Sequence, residues 1–315
     1  MADDDPAVRG RQPAPDDAHA LIPLRPPQRS GTAVVRYEKN LIGRLLAADG
    51  KISATGIHRV LRVQSRDGTR KFGELAVGMS LVSERDVQIA LCRQFGYPSV
   101  EDLEGRLGPE LYMALAPFSP AAELLNKVLA QLPRTADGEE GLSIAIVSPD
   151  PKEGRSTLAA NLALAYAQSG RRTLLIDADL RKPSQHRLFG LGSMRGLTSL
   201  SSDWYAGDEV LDLVHPAHLF GLSIVQAGST YANPIEVLNN ERFAKLVADA
   251  RVEYEAVIID TPPARSYADA EAIAAVAARM LIVTREHYSQ LESVRSIVDS
   301  ARRHRVEVLG AVLGR

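Results

Sequence analysis

The chain has 315 residues, 45% of them hydrophobic and 24% charged, with a formal net charge of -2. That is the composition of a soluble globular chain, long enough for one large domain or two modest ones, and its near-neutral charge gives no reason to expect nucleic-acid binding. A single cysteine, Cys92, excludes an internal disulfide and fits a reducing compartment; no apolar stretch approaches the roughly 18–20 residues of a membrane span, and the acidic opening "MADDDP" lacks the apolar core of a secretion signal.

Residues 1–35 carry Pro6, Pro13, Pro15, Pro23, Pro26 and Pro27 among Asp, Arg and Ala. Proline denies the backbone regular hydrogen bonds, so this segment is expected to be a disordered tail. Residues 36–100 hold an internal repeat. "IGRLLAADGKISATGIHRVLRVQ" from Ile42 and "FGELAVGMSLVSERDVQIALCRQ" from Phe72 align at an offset of 30, pairing Gly43 with Gly73, Ile52 with Val82, Ser53 with Ser83, Ile57 with Val87, Leu61 with Leu91 and Gln64 with Gln94. Each copy reads as a short helix, a turn and a longer helix, with Ser53 and Ser83 as helix N-caps.

The repeat resembles the N-terminal domain of type II secretion and pilus ATPases, some of which bind cyclic di-GMP through a repeated "RLG" turn. The arginine position of that turn holds Leu41 in the first copy and Lys71 in the second, and Ser80 stands at the family's glycine. Leucine offers neither arginine's planar phosphate fork nor its stacking surface. The resemblance therefore implies the fold and a protein-docking module without tight cyclic di-GMP binding.

Residues 101–138 form a connector. Leu124, Leu125, Val128, Leu129 and Leu132 make an apolar stripe at helical spacing, and "PRTADGEEG" is a polar break. From residue 139 to 315, apolar runs ("LSIAIV", "TLLIDAD", "LSIVQAG", "AVIIDTPP", "MLIVT", "VEVLGAVL") alternate with helical patterns. The expected fold class is α/β, a P-loop NTPase-like parallel sheet with helices on both faces, preceded by the mainly helical repeat module. Ligands of such sheets sit at the carboxyl ends of the strands.

Three stretches fall at those ends. In "SPDPKEGRST", Ser148 to Thr157, Gly154 allows close backbone approach to a phosphate and the following helix offers free N–H groups. "TLLIDADLRKP" ends a strand with Asp177 and Asp179, and "AVIIDTPP" ends one with Asp260. A carboxylate at the tip of a buried strand needs a partner or a metal. Two such tips beside a phosphate loop point to a metal and phosphate site; the alternative reading has each aspartate capping the next helix.

Together with "NPIEVL" from Asn233, these stretches resemble the bacterial P-loop tyrosine kinases of capsule and exopolysaccharide export, of the chain-length-determinant type. The resemblance runs over about residues 40–315. It implies ATP and Mg²⁺ as cofactors, with phosphates cradled by the backbone around Glu153, Gly154, Arg155, Ser156 and Thr157. Ser156 would bind the metal, with Asp260 holding it directly or through water. Asp177 or Asp179 would orient the metal and take the proton of an attacking tyrosine hydroxyl, and Arg181 completes the "DxDxR" pattern. It further implies a membrane polysaccharide co-polymerase as partner, a cytoplasmic chain peripheral at the inner membrane through that partner, and a homo-oligomer.

Three departures stand out. Arg155 occupies the lysine position of the loop, so slow phosphoryl transfer is expected. The "ExxRxxR" oligomerisation pattern reads Glu123, Asn126, Leu129, and no tyrosine follows Tyr288, so the acceptor is expected on another protein or at an internal site such as Tyr37. His215 and His218 have metal-like spacing without a third ligand, and Arg302, Arg303 and Arg305 make a basic patch read as a solvated face. Three functions remain: an ATP-dependent tyrosine kinase of polysaccharide export, a nucleotide-gated non-catalytic regulator of the co-polymerase, and a partition-type positioning ATPase. The last class carries a second lysine five residues before the first, where this chain has Asp150.

Overall fold

The computed structural model describes residues 41–133, 140–202, 210–229 and 233–314. The expected disordered tail and Tyr37 lie outside them, as does most of the polar break.

The repeat builds four helices, α1 (Leu41–Ala48), α2 (Ala54–Asp67), α3 (Phe72–Gly78) and α4 (Glu84–Phe95). Both expected caps are present. The Ser53 hydroxyl accepts the Gly56 N–H at 3.1 Å, and Ser83 forms a capping box with Asp86. Leu46, Ile52, Val60, Phe72, Leu75, Ala76, Val82 and Ala90 close a separate core. The matched glycines are steric: a Cβ on Gly43 would lie 3.2 Å from the Phe72 ring, and one on Gly73 2.8 Å from Val87.

The connector carries short turns α5 (Val100–Leu103) and α6 (Tyr112–Leu115), then α7 (Pro120–Gln131). Leu125 of its stripe is buried, but Leu124 is 61% exposed because it lies about 100° round the helix from its neighbour.

A seven-stranded sheet follows in the order β3-β4-β2-β5-β1-β6-β7. Its strands are β1 (Leu142–Val147), β2 (Thr173–Asp177), β3 (His215–Pro216), β4 (Leu222–Val225), β5 (Ala256–Asp260), β6 (Arg279–Arg285) and β7 (Glu307–Gly314). Every ladder is parallel except the two-residue β3–β4 bridge, which the sequence pattern did not signal. Strands β1, β2 and β5 are buried throughout, the signature of a sheet covered on both faces.

Helix α8 (Arg155–Gln168) packs over β1, β2 and β5 on one face. Apolar almost all round, it lies between the sheet and the connector, and its Asn161 ties the two together. The Asn161 amide donates to the Glu110 carbonyl at 2.8 Å, and its oxygen accepts the Met113 N–H at 2.9 Å. The remaining helices are α9 (Gln185–Leu188), α10 (Ser199–Ser202), α11 (Pro234–Leu238), α12 (Glu241–Glu253), α13 (Asp269–Ala277) and α14 (Leu291–Arg303). Because β5 sits between β1 and β2, the carboxyl ends of the three converge at the switch in strand order, where ligands of open α/β sheets bind.

Candidate functional site

The loop from Ser148 to Gly154 leaves β1 and is tied down from both sides. The N–H of Ala264, after β5, donates to the Ser148 carbonyl at 2.9 Å, and that of Arg265 to the Pro149 carbonyl at 3.1 Å. Arg265 also pairs with Asp150 at 2.7 Å, so the position where positioning ATPases carry their second lysine is an acid held by an arginine. Glu153 is buried and accepts the Asp150 N–H at 2.7 Å, while the Ser289 hydroxyl donates to its other oxygen. Its side chain thus braces the loop instead of facing a ligand.

Gly154 has φ +87° with open space where a Cβ would stand, so conformation and not crowding requires glycine there. Lys152 has φ +66°, which is uncommon outside glycine and a feature of functional loops. The turn delivers the first N–H groups of α8 to the site, beside Ser156 and Thr157, both half-buried.

Arg155 folds inward and is buried. Its guanidinium donates to the Ser148 hydroxyl at 2.8 Å and to the Asp179 carboxylate at 3.1 Å, and lies 3.6 Å from Asp260. Asp177 and Asp260 stand directly opposite each other on β2 and β5. Burial and the facing Asp260 push the Asp177 carboxyl well above the usual range. Burial also raises Asp260, to about 6, with Arg155 the strongest opposing influence. Asp177 does cap a helix, accepting the Ser184 and Gln185 N–H groups at 3.0 Å, yet its other oxygen has no partner. The capping reading therefore accounts for one of its oxygens and leaves the other free for a ligand.

Arg181 turns away from the carboxylates. It forms a two-pronged pair with Asp269 at 2.6 and 3.1 Å and lies over the Tyr267 ring, 3.9 Å from its centre. Gln185, which the sequence reading missed, is fully buried. Its amide donates to the Ser156 carbonyl at 3.1 Å and to Asp260 at 2.8 Å, joining α8, α9 and β5. No local pattern marks it, since its partners lie far away in the chain. His215 contacts the Arg195 carbonyl, and the basic residues Arg302, Arg303 and Arg305 are exposed.

One oxygen each of Asp177, Asp260 and Gln185, together with Arg155 Nε, is buried without a hydrogen-bond partner among the described residues. Buried polar atoms are rarely left so. A raised, unsatisfied carboxylate pair beside a helix N-terminus fits a divalent cation and an anionic ligand. Among the described residues no three His, Cys, Asp or Glu side chains form a ready-made metal cage, so a bound ligand would have to complete the coordination.

The ParA family model, described as NUBPL iron-transfer P-loop NTPase, matches residues 142–313. The putative tyrosine-protein kinase CapB of Staphylococcus aureus is 30% identical over 207 residues, covering 65% of this chain and 89% of CapB. This chain belongs to the bacterial P-loop tyrosine-protein kinase family. The putative tyrosine-protein kinase EpsB of Ralstonia nicotianae is 33% identical over 228 residues, which are 72% of this chain and 29% of EpsB. The chain thus spans less than a third of that relative. Among solved structures, the chimerical protein CapA2B2 matches with a TM-score of 0.59 at 30% identity, covering 72% of this chain and 98% of that one. The kinase domain of Escherichia coli tyrosine kinase ETK matches with a TM-score of 0.57 at 26% identity, over 64% and 78%. The P-loop NTPase fold carries nucleotide binding with a divalent metal as its general property. No helix among the described residues is long and apolar enough to cross a membrane.

Proposed function

We propose that this family member is an ATP-dependent protein tyrosine kinase of exopolysaccharide export, acting with a membrane co-polymerase. The observation that carries the proposal is the facing Asp177–Asp260 pair at the strand tips, with Arg155 of the α8 N-terminus reaching both Asp260 and Asp179. Ser156 and Asp260, with Asp177 behind them, would hold Mg²⁺. Bound Mg·ATP would supply the phosphoryl group and neutralise charge on it. The loop N–H groups and Arg155 would stabilise phosphate oxygens, and phosphoryl transfer depends chiefly on such positioning and charge. Asp179, the carboxylate nearest the Arg155 fork, would take the proton of the acceptor tyrosine. Arg181, held by Asp269, positions the Asp179 strand tip through its backbone N–H, 3.3 Å from that carboxylate.

A second reading, a nucleotide-gated regulator with little activity, is favoured by one feature: Arg155 already engages the Asp179 carboxylate that would serve as base. Incubation of the purified chain with Mg·ATP, with and without the cytoplasmic segments of its co-polymerase, followed by phosphosite mapping, separates the two. Phosphotyrosine supports the kinase. Tight nucleotide binding without phosphotyrosine supports the regulator, and phosphate confined to serine or threonine overturns the tyrosine-kinase reading.

A further inference from the structure

On helix α2, Arg59, Arg62 and Arg66 share one face and are all exposed. None of their side chains has an ion-pair or hydrogen-bond partner among the described residues. The helix stacks like charge on like charge, since Arg59–Arg62 and Arg62–Arg66 are neighbours three and four positions apart, an arrangement that destabilises a helix. Its one acid, Asp67, already serves Arg70 and Thr69. Such a face stands at a cost to the helix itself.

The duplicated helix shows what this face does elsewhere. On α4, Arg85, Ile89, Cys92 and Gly96 stand where α2 has Thr55, Arg59, Arg62 and Arg66. That side of α4 is turned to the chain's own connector. Arg85 pairs with Glu104 at 2.6 Å, the Gln88 side-chain oxygen on the same helix accepts the Phe118 N–H at 3.3 Å, and Cys92 is buried. The equivalent face of α2 stays open.

We propose that the α2 arginine face docks on anionic lipid headgroups. The chemistry favours them over two other anions. A protein interface needs an apolar, aromatic centre, and no large hydrophobic side chain is exposed on α2. Single-stranded nucleic acid is gripped through stacked aromatic platforms, and α2 has no Phe, Tyr or Trp, its one ring being His58. Headgroup phosphates ask only for cationic donors along a line, and the three guanidinium groups are set along about 10 Å of helix. Each arginine near an anionic leaflet contributes about a fivefold gain in partitioning, so three give on the order of a hundredfold. That suits a secondary contact reinforcing a partner-borne anchor. The proposal uses no nucleotide chemistry, so it stands or falls separately from the kinase reading.

The test is co-sedimentation of the full chain with phosphatidylcholine vesicles, with and without about a third phosphatidylglycerol, at low salt where such fields are least screened. The parent is expected on the anionic vesicles only. Joint Arg59→Gln, Arg62→Gln and Arg66→Gln should lower binding on the order of a hundredfold, while the melting temperature stays level or rises as the like-charge pairs go. Joint replacement of the three by lysine should retain binding within about threefold, since leaflet attraction counts each Lys or Arg charge alike, and this keeps the result readable if the glutamine variant folds poorly. Equal binding to neutral and anionic vesicles overturns the proposal. So does full binding by the glutamine variant, or a tighter grip by this face on duplex DNA than on the vesicles.

Discussion

Arg155→Ala removes the cation that faces both Asp179 and Asp260, leaving Asp177, Asp179 and Asp260 crowded at the strand tips. Breaking a buried ion pair by deleting one partner costs about 3–5 kcal/mol. The charges are fully developed only when Asp260 is ionised, so the loss depends on pH. In the parent, Asp260 has a folded-state pKa of about 6, above its unfolded value, so the stability linked to it is fully present below about pH 4 and fades as pH rises through 6. Loss of Arg155 raises that carboxyl further, since Arg155 is the main influence holding it down. The alanine variant should melt about 10 °C below the parent at pH 8, with a smaller gap at pH 5. Its affinity for Mg·ATP, by calorimetric titration, should fall about 10–150-fold, the worth of one hydrogen bond to a charged group. Arg155→Lys keeps the charge but not the fork that engages Ser148 and Asp179, so affinity should stay within about threefold and turnover should equal or exceed the parent's. An alanine variant that bound Mg·ATP like the parent and melted with it at both pH values would refute this assignment of Arg155.

Asp260→Asn should weaken Mg·ATP binding in a folded chain, and its melting temperature relative to the parent should be more favourable at pH 8 than at pH 5, because the variant carries no carboxylate to be penalised as pH rises. Gln185→Leu should cost about 2–3 kcal/mol on thermal unfolding through the orphaned Ser156 carbonyl and Asp260, and lower turnover more than nucleotide affinity. Gly141→Ala should unfold the start of β1, since its Cβ would stand 1.8 Å from the Tyr254 carbonyl oxygen; a soluble variant with the parent's melting temperature would contradict the packing. Titration of the full chain with cyclic di-GMP should show no binding at micromolar concentrations, and clear saturation there would mean that Leu41 is compensated by other residues.

The sheet was legible in sequence because its strands are short apolar runs buried on both faces, and "LSIAIV" or "AVIIDTPP" has few other uses. The repeat was legible because duplication leaves paired positions at one offset, and the serine caps act within three residues of themselves. The phosphate loop and the aspartates at the strand tips are likewise local patterns. Leu124 misled because a helical stripe says which residues share a side, not how wide the neighbouring surface is. What Arg155, Arg181 and Gln185 touch could not be read from the chain. Its place in the loop marks Arg155 as a cation beside phosphates, but its contacts with Asp179 and Asp260, 24 and 105 positions away in the sequence, exist only in the fold. Arg181 lies two residues from Asp179, yet a two-pronged pair with Asp269 holds its side chain, across 88 positions of sequence. Gln185 joins residues 29 and 75 positions away in the sequence. Short-range steric and capping preferences determine the elements on their own. Charges buried at a junction of strands settle only when the sheet order brings them together, because their energies depend on every neighbour and on the water they lose.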